Sequence, residues 1–216
     1  MPLSQTPLSR TPVFGTPMFP LGSVLFPHAL LPLHVFEDRY RALVERCLAD
    51  DMAFGVVLIE RGSEVGGGDV RFPVGTLARI VQAGRFEDGR YALVTAGVQR
   101  CRIREWLTDD PFPRAHVEVL TENADSEGAV LIPEVTLLLR RVMALHAQLG
   151  ATVPSEEIDL DGDPVRASFQ AAALAPIGPL DAQGLLELDD AGARLARLVE
   201  LLADAASVLD FRLSGD

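Results

Sequence analysis

The chain has 216 residues, of which 48% are hydrophobic, and a formal net charge of −12. This composition is typical of a chain that folds around a sizeable core, as one large domain or two small ones, and it excludes wholesale disorder. All 19 basic residues are Arg, so chemistry that depends on a Lys amine is excluded. Nucleic-acid affinity comes largely from cations that neutralise phosphates, and the acidic balance therefore disfavours a generic nucleic-acid binder.

The start of the chain carries no secretory signal, because no basic region is followed by an apolar one. No apolar run approaches the roughly 20 residues that span a bilayer. We therefore expect a cytoplasmic protein with no membrane partner. Residues 1–12 contain prolines among Ser and Thr, which predicts a disordered, Pro-rich tail.

Residues 13–122 are predicted to form a β-rich subdomain with one helix. Apolar residues alternate with prolines and a glycine in 19–27, and 29–36 is a second apolar run that contains a proline. Because proline cannot donate to a ladder, both segments suit short or edge strands. Further strands are predicted at 54–59, 74–82, 91–98 and 115–120, with a tight turn at Asp88–Gly89.

The helix of this subdomain is predicted from Glu37 to about Asp50. Apolar residues there recur at spacings of three and four, which places them on one buried stripe. The stripe consists of Tyr40, Leu43, Val44, Cys47 and Leu48. Cys47 on this stripe and Cys101 in a predicted strand are too few for a disulfide scaffold, and we expect both to be buried hydrophobes.

The strand that begins at Tyr91 is predicted to continue past Val98. Three arginines alternate there with Cys101, Ile103 and Glu105. This alternation predicts a strand with one solvated, basic face, whose arginines are paired with neighbouring charges or bind an anion. The three residues are Arg100, Arg102 and Arg104.

Residues 128–213 are predicted to form a helical subdomain. A helix at 130–149 is followed by Gly150 in a capping position. Asp163 and Pro164 suit an N-cap and a first-turn proline. A short helix is predicted at 180–188, and either Asp189 or Asp190 caps a final long helix. The inner face of that helix is predicted to carry Leu195, Leu198, Val199, Leu202 and Leu209.

Several short motifs occur together, in order, along most of the chain. They are Phe26–Pro27–His28, the run His34 to Arg41, Val74 to Ile80, Gly97 to Ile103, Asp163–Pro164, Leu185 to Glu187, and Arg194–Leu195 with Leu198. Each motif is weak alone, but their order and spacing over about residues 13–210 resemble the amino-terminal substrate-binding domain of Lon proteases.

The resemblance implies an α+β fold, in which a PUA-like β pseudo-barrel is followed by a helical bundle, and a bacterial-type, proteolysis-related role in engaging polypeptides. The sequence has no phosphate loop with its Lys, and a Ser–Lys dyad is impossible without Lys. The chain also ends at Asp216, before an ATPase or a protease domain could begin. We therefore expect a stand-alone, non-enzymatic module that needs no cofactor.

Two groups of residues are candidates for peptide binding. The first is apolar and forms either an exposed patch that grips unfolded clients or part of the core: Phe26, Leu30, Leu31 and Phe36. The second is charged and either selects client segments at the mouth of a groove or forms a solvated helix face with pairs such as Glu37 with Arg41: Glu37, Asp38, Arg39 and Arg41.

The predicted function is binding of unfolded or specific polypeptides, as an adaptor, a holdase or a regulator of a separate protease. One alternative is a PUA-like RNA or nucleotide binder, which the net charge opposes. A second alternative is a hydrolase, although no nucleophile-elbow motif is present. No metal site is expected, because the histidines lack ligand spacing: His28, His34, His116 and His146.

Overall fold

The computed structural model describes residues 13–50, 53–62, 70–123, 126–152 and 158–215. The chain forms two compact units that divide between Thr121 and Glu122. The Pro-rich tail predicted at 1–12 lies outside the described residues.

The described part of the first unit contains six strands and one α-helix. Their bounds are β1 (Val13–Leu21), β2 (Leu30–Val35), α1 (Asp38–Asp50), β3 (Phe54–Arg61), β4 (Val70–Arg85), β5 (Tyr91–Trp106) and β6 (Arg114–Val119). The helix predicted from Glu37 is confirmed as α1. The strands predicted at 74–82 and 91–98 are confirmed: β4 extends beyond the predicted range to 16 residues, and β5 continues past Val98 to Trp106, as predicted.

The strands form one mixed sheet in the order β2-β5-β4-β3-β1-β6, and an additional pairing of β5 with β6 closes five of them into a ring. The prediction of an edge strand is confirmed for β2. Within 19–27 the strand is the end of β1, where Phe19, Pro20 and Leu21 pair with β3, whereas the pairs of β1 with β6 lie earlier, at Val13, Thr16 and Pro17; this fits the prediction of a short or edge strand. A register shift between Val13 and Thr16 interrupts the pairing of β1 with β6. Gly15, at φ +67°, lies within this interruption.

The described part of the first unit has two core clusters, of which one lies between α1 and the sheet and the other consists of strand residues such as Leu77 and Cys101. Tyr40, Leu43, Val44 and Cys47 of α1 are buried, as the helical spacing predicts, whereas Leu48 is exposed. The Phe19 ring of β1 stacks on Tyr40 with centroids 4.2 Å apart. Burying these side chains favours folding by about 1.5–3 kcal/mol each, so α1 is held against the sheet mainly by its apolar stripe.

The described part of the second unit is helical. Its elements are a 3-10 helix (Ser126–Leu131), α2 (Ile132–Gln148), α3 (Pro164–Leu174), α4 (Pro179–Glu187) and α5 (Ala191–Ser214). The predicted N-cap at Asp163 is confirmed, because its carboxylate accepts the Val165 N–H at 3.0 Å. Asp190, and not Asp189, caps α5 by accepting the Ala193 N–H at 2.7 Å.

Arg194 of α5 is completely buried in the second unit and joins four of its segments. Its guanidinium donates to the Leu185 carbonyl at 3.2 Å, the Ser168 hydroxyl at 2.7 Å, the Leu188 carbonyl at 2.7 Å and the Glu122 carboxylate at 2.9 Å, and it stacks on the Phe169 ring at 3.9 Å. A buried charge is tolerated only when paired and hydrogen-bonded in this way. Arg194 therefore fixes how α3, α4 and α5 meet.

We expect Arg194→Met to lower the free energy of unfolding of the second unit by about 3 kcal/mol, because it leaves several buried acceptors without their donor. Urea unfolding followed by circular dichroism at 222 nm measures this loss. Arg197→Met on the same helix is the matched control, since Arg197 is exposed and pairs with Glu200 at the surface. Equal urea midpoints for the two variants would contradict the assignment.

Candidate functional site

An apolar surface lies on the side of β2, β5 and β4 that is opposite to the core cluster packed against α1. Alternate residues of a strand point to opposite faces, and Leu33 and Val35 of β2 are buried in the core. Leu30, Pro32 and His34 alternate with these buried residues and therefore face outward, together with their partners in β5 and β4. The rows across the three strands are Leu30–Ala96–Arg79, Pro32–Val94–Gln82 and His34–Ala92–Gly84. These residues, with Phe36, Val81 and Phe86 beside them, are called the outer face.

The outer face has small residues in its middle and larger ones at its sides. Ala92, Val94 and Ala96 of β5 are half-buried. The larger apolar residues around them are Leu30 (66% exposed), Phe36 (56%), Phe86 (48%) and Val81 (42%). The surface is therefore a shallow groove along β5, about 20 Å long from the row of Ala96 to that of Arg90. Outward positions of such strands are usually polar, so this apolar groove is a candidate binding surface.

Charged side chains at the start of α1 border one end of the outer face. Arg41 forms an ion pair with Asp38 and also donates from Nη1 to the Asp88 carbonyl at 3.5 Å. Asp88 lies in the turn between β4 and β5, so Arg41 joins the first turn of α1 to that turn. Arg39 pairs with Glu37 at 3.1 Å and lies 4.5 Å from the centroid of the Tyr40 ring.

The side-chain pair predicted between Glu37 and Arg41 is wrong. The two residues are joined only through the backbone, where the Arg41 N–H donates to the Glu37 carbonyl at 2.9 Å. The Arg41 guanidinium instead reaches Asp38, one residue nearer along the helix, and the β4–β5 turn. Glu37 is left to pair with Arg39. The charged candidates thus form a local network that positions α1.

Asp88 stabilises the turn at this end of the groove. Its carboxylate accepts the backbone N–H of Arg90 at 3.1 Å and pairs with the Arg90 guanidinium at 2.7 Å. The backbone hydrogen bond holds the pKa of Asp88 below its ordinary value, and the Arg90 side chain and Arg41 act in the same direction. Asp88 therefore stays ionised near neutral pH.

The structure brings only two of the four apolar candidates onto the outer face, Leu30 and Phe36. Phe26 is 3% exposed, and Leu31 is half-buried and packs against the core. Phe26 is buried because the turn that carries it is fastened to the sheet. Thr76 Oγ1 donates to the Leu25 carbonyl at 2.5 Å, the His28 N–H donates to the Gly97 carbonyl at 2.9 Å, and the Gly97 N–H donates to the Ala29 carbonyl at 2.9 Å.

The solvated basic face predicted on β5 is wrong for Arg100, which is fully buried. Arg100 lies directly opposite Thr76 of β4, and the Thr76 hydroxyl donates to the Leu25 carbonyl. Paired residues of a ladder face the same side of the sheet, so the turn that carries Leu25 lies over this side of the ladder at Arg100. Arg104 is exposed and pairs with Glu118.

Several residues of the outer face were not predicted from the sequence: Pro32, His34, Val81, Phe86, Ala92, Val94 and Ala96. A signal for them was present, because Ala92, Val94 and Ala96 are apolar at alternate positions of a strand whose other face is also apolar. Alone, this pattern also fits a strand that is buried on both faces. The structure shows that these residues meet solvent, because they are only half-buried and Leu30 and Phe36 beside them are exposed.

Two cavities lie elsewhere among the described residues. A cavity of about 590 Å³ in the first unit is bordered by Arg46, Asp110 and Arg114, and one of about 460 Å³ lies between α4 and α5. Among the described residues, no group of three or more His, Cys, Asp or Glu side chains could hold a metal ion. No described helix is both long enough and apolar enough to cross a bilayer.

Comparison with known proteins gives a family and a fold. A family model described as the ATP-dependent protease La (LON) substrate-binding domain matches residues 15–204. Lon protease 2 of Myxococcus xanthus is 31% identical over 192 residues, which are 87% of this chain and 23% of that protein. Lon protease of Anaeromyxobacter dehalogenans is 29% identical over 87% of this chain and 22% of its own length. The chain thus spans about a quarter of the length of these curated relatives.

Two solved structures share the fold. The Lon N-terminal domain protein from Xanthomonas campestris is 27% identical, with a TM-score of 0.63 over 87% of this chain and 98% of that one. The N-terminal domain of a Mycobacterium avium complex Lon protease is 21% identical, with a TM-score of 0.59 over 88% and 98%. At 21% identity, the second likeness concerns the fold alone. The predicted α+β class is confirmed.

Gly97 is required where the turn around Phe26 meets the sheet. A Cβ at Gly97 would lie 2.3 Å from the Phe26 carbonyl oxygen, whereas one at Gly84 would lie 3.8 Å from its nearest neighbour, the Ala92 carbonyl oxygen. We expect Gly97→Ala to lower the free energy of unfolding by about 1–3 kcal/mol. Gly84→Ala, in the neighbouring strand, should change it little. Urea unfolding monitored by fluorescence of the single Trp, Trp106, compares them, and equal stabilities would contradict the close contact.

We expect burial to keep both thiols in their neutral form and to make the free energy of unfolding fall at alkaline pH. Cys47 and Cys101 are buried as predicted, and burial raises the pKa of each thiol from about 9 to about 12. The folded state therefore favours the neutral thiol, and this contribution is complete below pH 9 and lost as the pH rises toward 12. We expect the urea midpoint to fall from pH 9 to pH 11. In the double variant Cys47→Ala, Cys101→Ala, the urea midpoint should fall less over the same pH range. An equal fall in wild type and double variant would contradict the role of the two thiols.

Proposed function

Because the chain belongs to the family of Lon substrate-binding domains, we propose that it binds polypeptide segments and releases them unchanged. The outer face is the surface that we assign to this binding. The charged residues at the start of α1, Glu37, Asp38, Arg39 and Arg41, are assigned to its border. Membership of this family supports the proposal that the ligand is a polypeptide. The apolar groove supports the proposal that the ligand binds at the outer face.

The observation that carries this assignment is the exposure of apolar side chains around a floor of small ones. Leu30 and Phe36 offer large apolar areas at the sides, and Ala92, Val94 and Ala96 leave space between them. Each apolar side chain of a ligand that is buried here contributes about 1.5–3 kcal/mol. Two or three such contacts, less the cost of ordering the ligand, support weak and reversible binding.

The charged border has a positioning role in this proposal. Arg41 connects α1 to the β4–β5 turn, and at the same end of the groove Phe36 lies two residues before α1 and Phe86 lies in that turn. Fixing both aromatic residues before a ligand arrives lowers the entropic cost of binding. Arg39 and Glu37 pair with each other beside Phe36. They cover this end of the groove, and their paired charges are the ones that a ligand contacts there.

In the cell, we propose that this binding serves an adaptor, a holdase or a regulator of a separate protease. An adaptor or a regulator changes the rate at which that protease degrades a bound client. A holdase only slows the aggregation of unfolded protein. All three roles need the same apolar contact, and none needs a catalytic group in this chain.

We expect Leu30→Asp to weaken the binding of a fluorescein-labelled apolar peptide by about tenfold or more, since it removes an apolar contact and buries a charge. Fluorescence anisotropy gives the Kd, and circular dichroism checks the fold. Leu137→Asp on α2 is the matched control, because Leu137 is 68% exposed and Leu30 is 66% exposed. Phe36→Asp and Phe211→Asp, at 56% and 63% exposure, form a second pair.

The two pairs of variants distinguish binding at the outer face from non-specific binding to any exposed apolar side chain. Loss of binding in Leu30→Asp and Phe36→Asp, with Leu137→Asp and Phe211→Asp unchanged, supports the outer face. Equal loss in all four variants, or loss only in the two α-helical variants, would overturn the assignment.

A further inference from the structure

Arg79 stands at one end of the outer face. It lies in β4 directly opposite Ala96 of β5, whose partner on the other side is Leu30 of β2. Ala78, just before Arg79, is fully buried in the core, so the Arg79 side chain projects to the other side of the sheet. The guanidinium therefore belongs to the same row as the exposed Leu30 and the small Ala96.

Arg79 differs from the arginines at the opposite end. There Arg39 pairs with Glu37, Arg41 with Asp38, Arg85 with Glu45 and Arg90 with Asp88. Arg79 is half-buried, and no ion pair or hydrogen bond joins its side chain to any part of the chain that the structure describes. A guanidinium in partly apolar surroundings gains most from a planar, bidentate carboxylate.

The opposite end of the groove is not suited to a carboxylate. Its four arginines are matched by the carboxylates of Glu37, Asp38, Glu45 and Asp88, and the exposed Glu87 adds a further negative charge. The groove is therefore electrically polar, with a cation at the Arg79 end and an excess negative charge near Phe86. An acidic group on a ligand is attracted only to the first end.

We propose that the outer face selects extended polypeptide segments in which an acidic side chain, placed at Arg79, is followed at alternate positions by apolar side chains. This inference rests on the proposed function, because it names the ligand class of the same surface. Rows of the outer face are separated by two residues of strand, and alternate side chains of an extended ligand repeat at the same distance. One acidic and two apolar side chains therefore match the rows of Ala96, Val94 and Ala92 in turn.

The ligand lies on the face of the sheet and is not added as a strand at its edge. β2 is the edge strand, and Pro32 in its middle has no N–H to offer to a neighbouring chain. Recognition by added backbone hydrogen bonds is therefore weak at this edge. Side chains that reach into the groove supply the selectivity.

The test uses acetylated and amidated six-residue peptides, labelled with a fluorophore, that have apolar residues at alternate positions and Glu or Gln at one end. Glu is placed at the amino end in one pair and at the carboxyl end in another, because the groove does not fix the ligand's direction. For wild type, we expect the Glu peptide to bind about tenfold more tightly than its Gln partner in at least one direction, and less so at high salt. We expect Arg79→Gln to remove the preference while still binding the Gln peptide.

Arg104→Gln is the control, because Arg104 is an exposed arginine of β5 that pairs with Glu118, and it should keep the preference. Equal binding of Glu and Gln peptides to wild type, or a preference that survives Arg79→Gln, overturns this inference while leaving peptide binding intact. A Gln peptide with an unblocked terminal carboxylate that binds as tightly as the Glu peptide overturns the choice of an acidic side chain. Failure of wild type to bind any of the peptides overturns the proposed function itself.

Discussion

The arrangement of the first unit depends on one long strand, β5, which carries three ladders. It pairs with β4 along most of its length, with β2 over residues 91–96 and with β6 over residues 101–106. Its first half can have only one core face, and Tyr91, Leu93 and Thr95 occupy it. Ala92, Val94 and Ala96 must then face outward between β2 and β4. The pairing that builds the sheet is therefore also what creates the groove.

Much of this architecture could be predicted from local patterns. The spacing of Tyr40, Leu43, Val44 and Cys47 predicts α1 because a helix must bury one stripe. The Asp163–Pro164 pair predicts the start of α3 because its carboxylate caps a backbone N–H that is otherwise without a partner. These features depend on residues within one or two turns of each other. Two candidates of the apolar group, Leu30 and Phe36, are exposed, as one of the two interpretations of that group requires, and their role in binding stays a prediction.

The predictions that failed depend on contacts between distant segments. The burial of Phe26 is set by the bonds of its turn to Thr76 and Gly97, about 50 and 70 residues away. Arg100 is buried on the face where its partner in β4, Thr76, holds the turn at Leu25, about 75 residues away along the chain. The role of Arg194 as a buried centre could not be foreseen either, because its acceptors come from three separate segments, at Glu122, at Ser168 and at the end of α4. Local periodicity carries no information about such partners.

The central claim is that polypeptide ligands occupy the outer face of β2, β5 and β4. Two-dimensional NMR of ¹⁵N-labelled protein, titrated with an unlabelled apolar peptide, tests it residue by residue. The account predicts that the largest shifts occur at the amides of Leu30, His34, Ala92, Val94 and Ala96, with the helical unit little affected. Shifts that concentrate on α4 and α5, or along the far ends of β5 and β6, would contradict the claim.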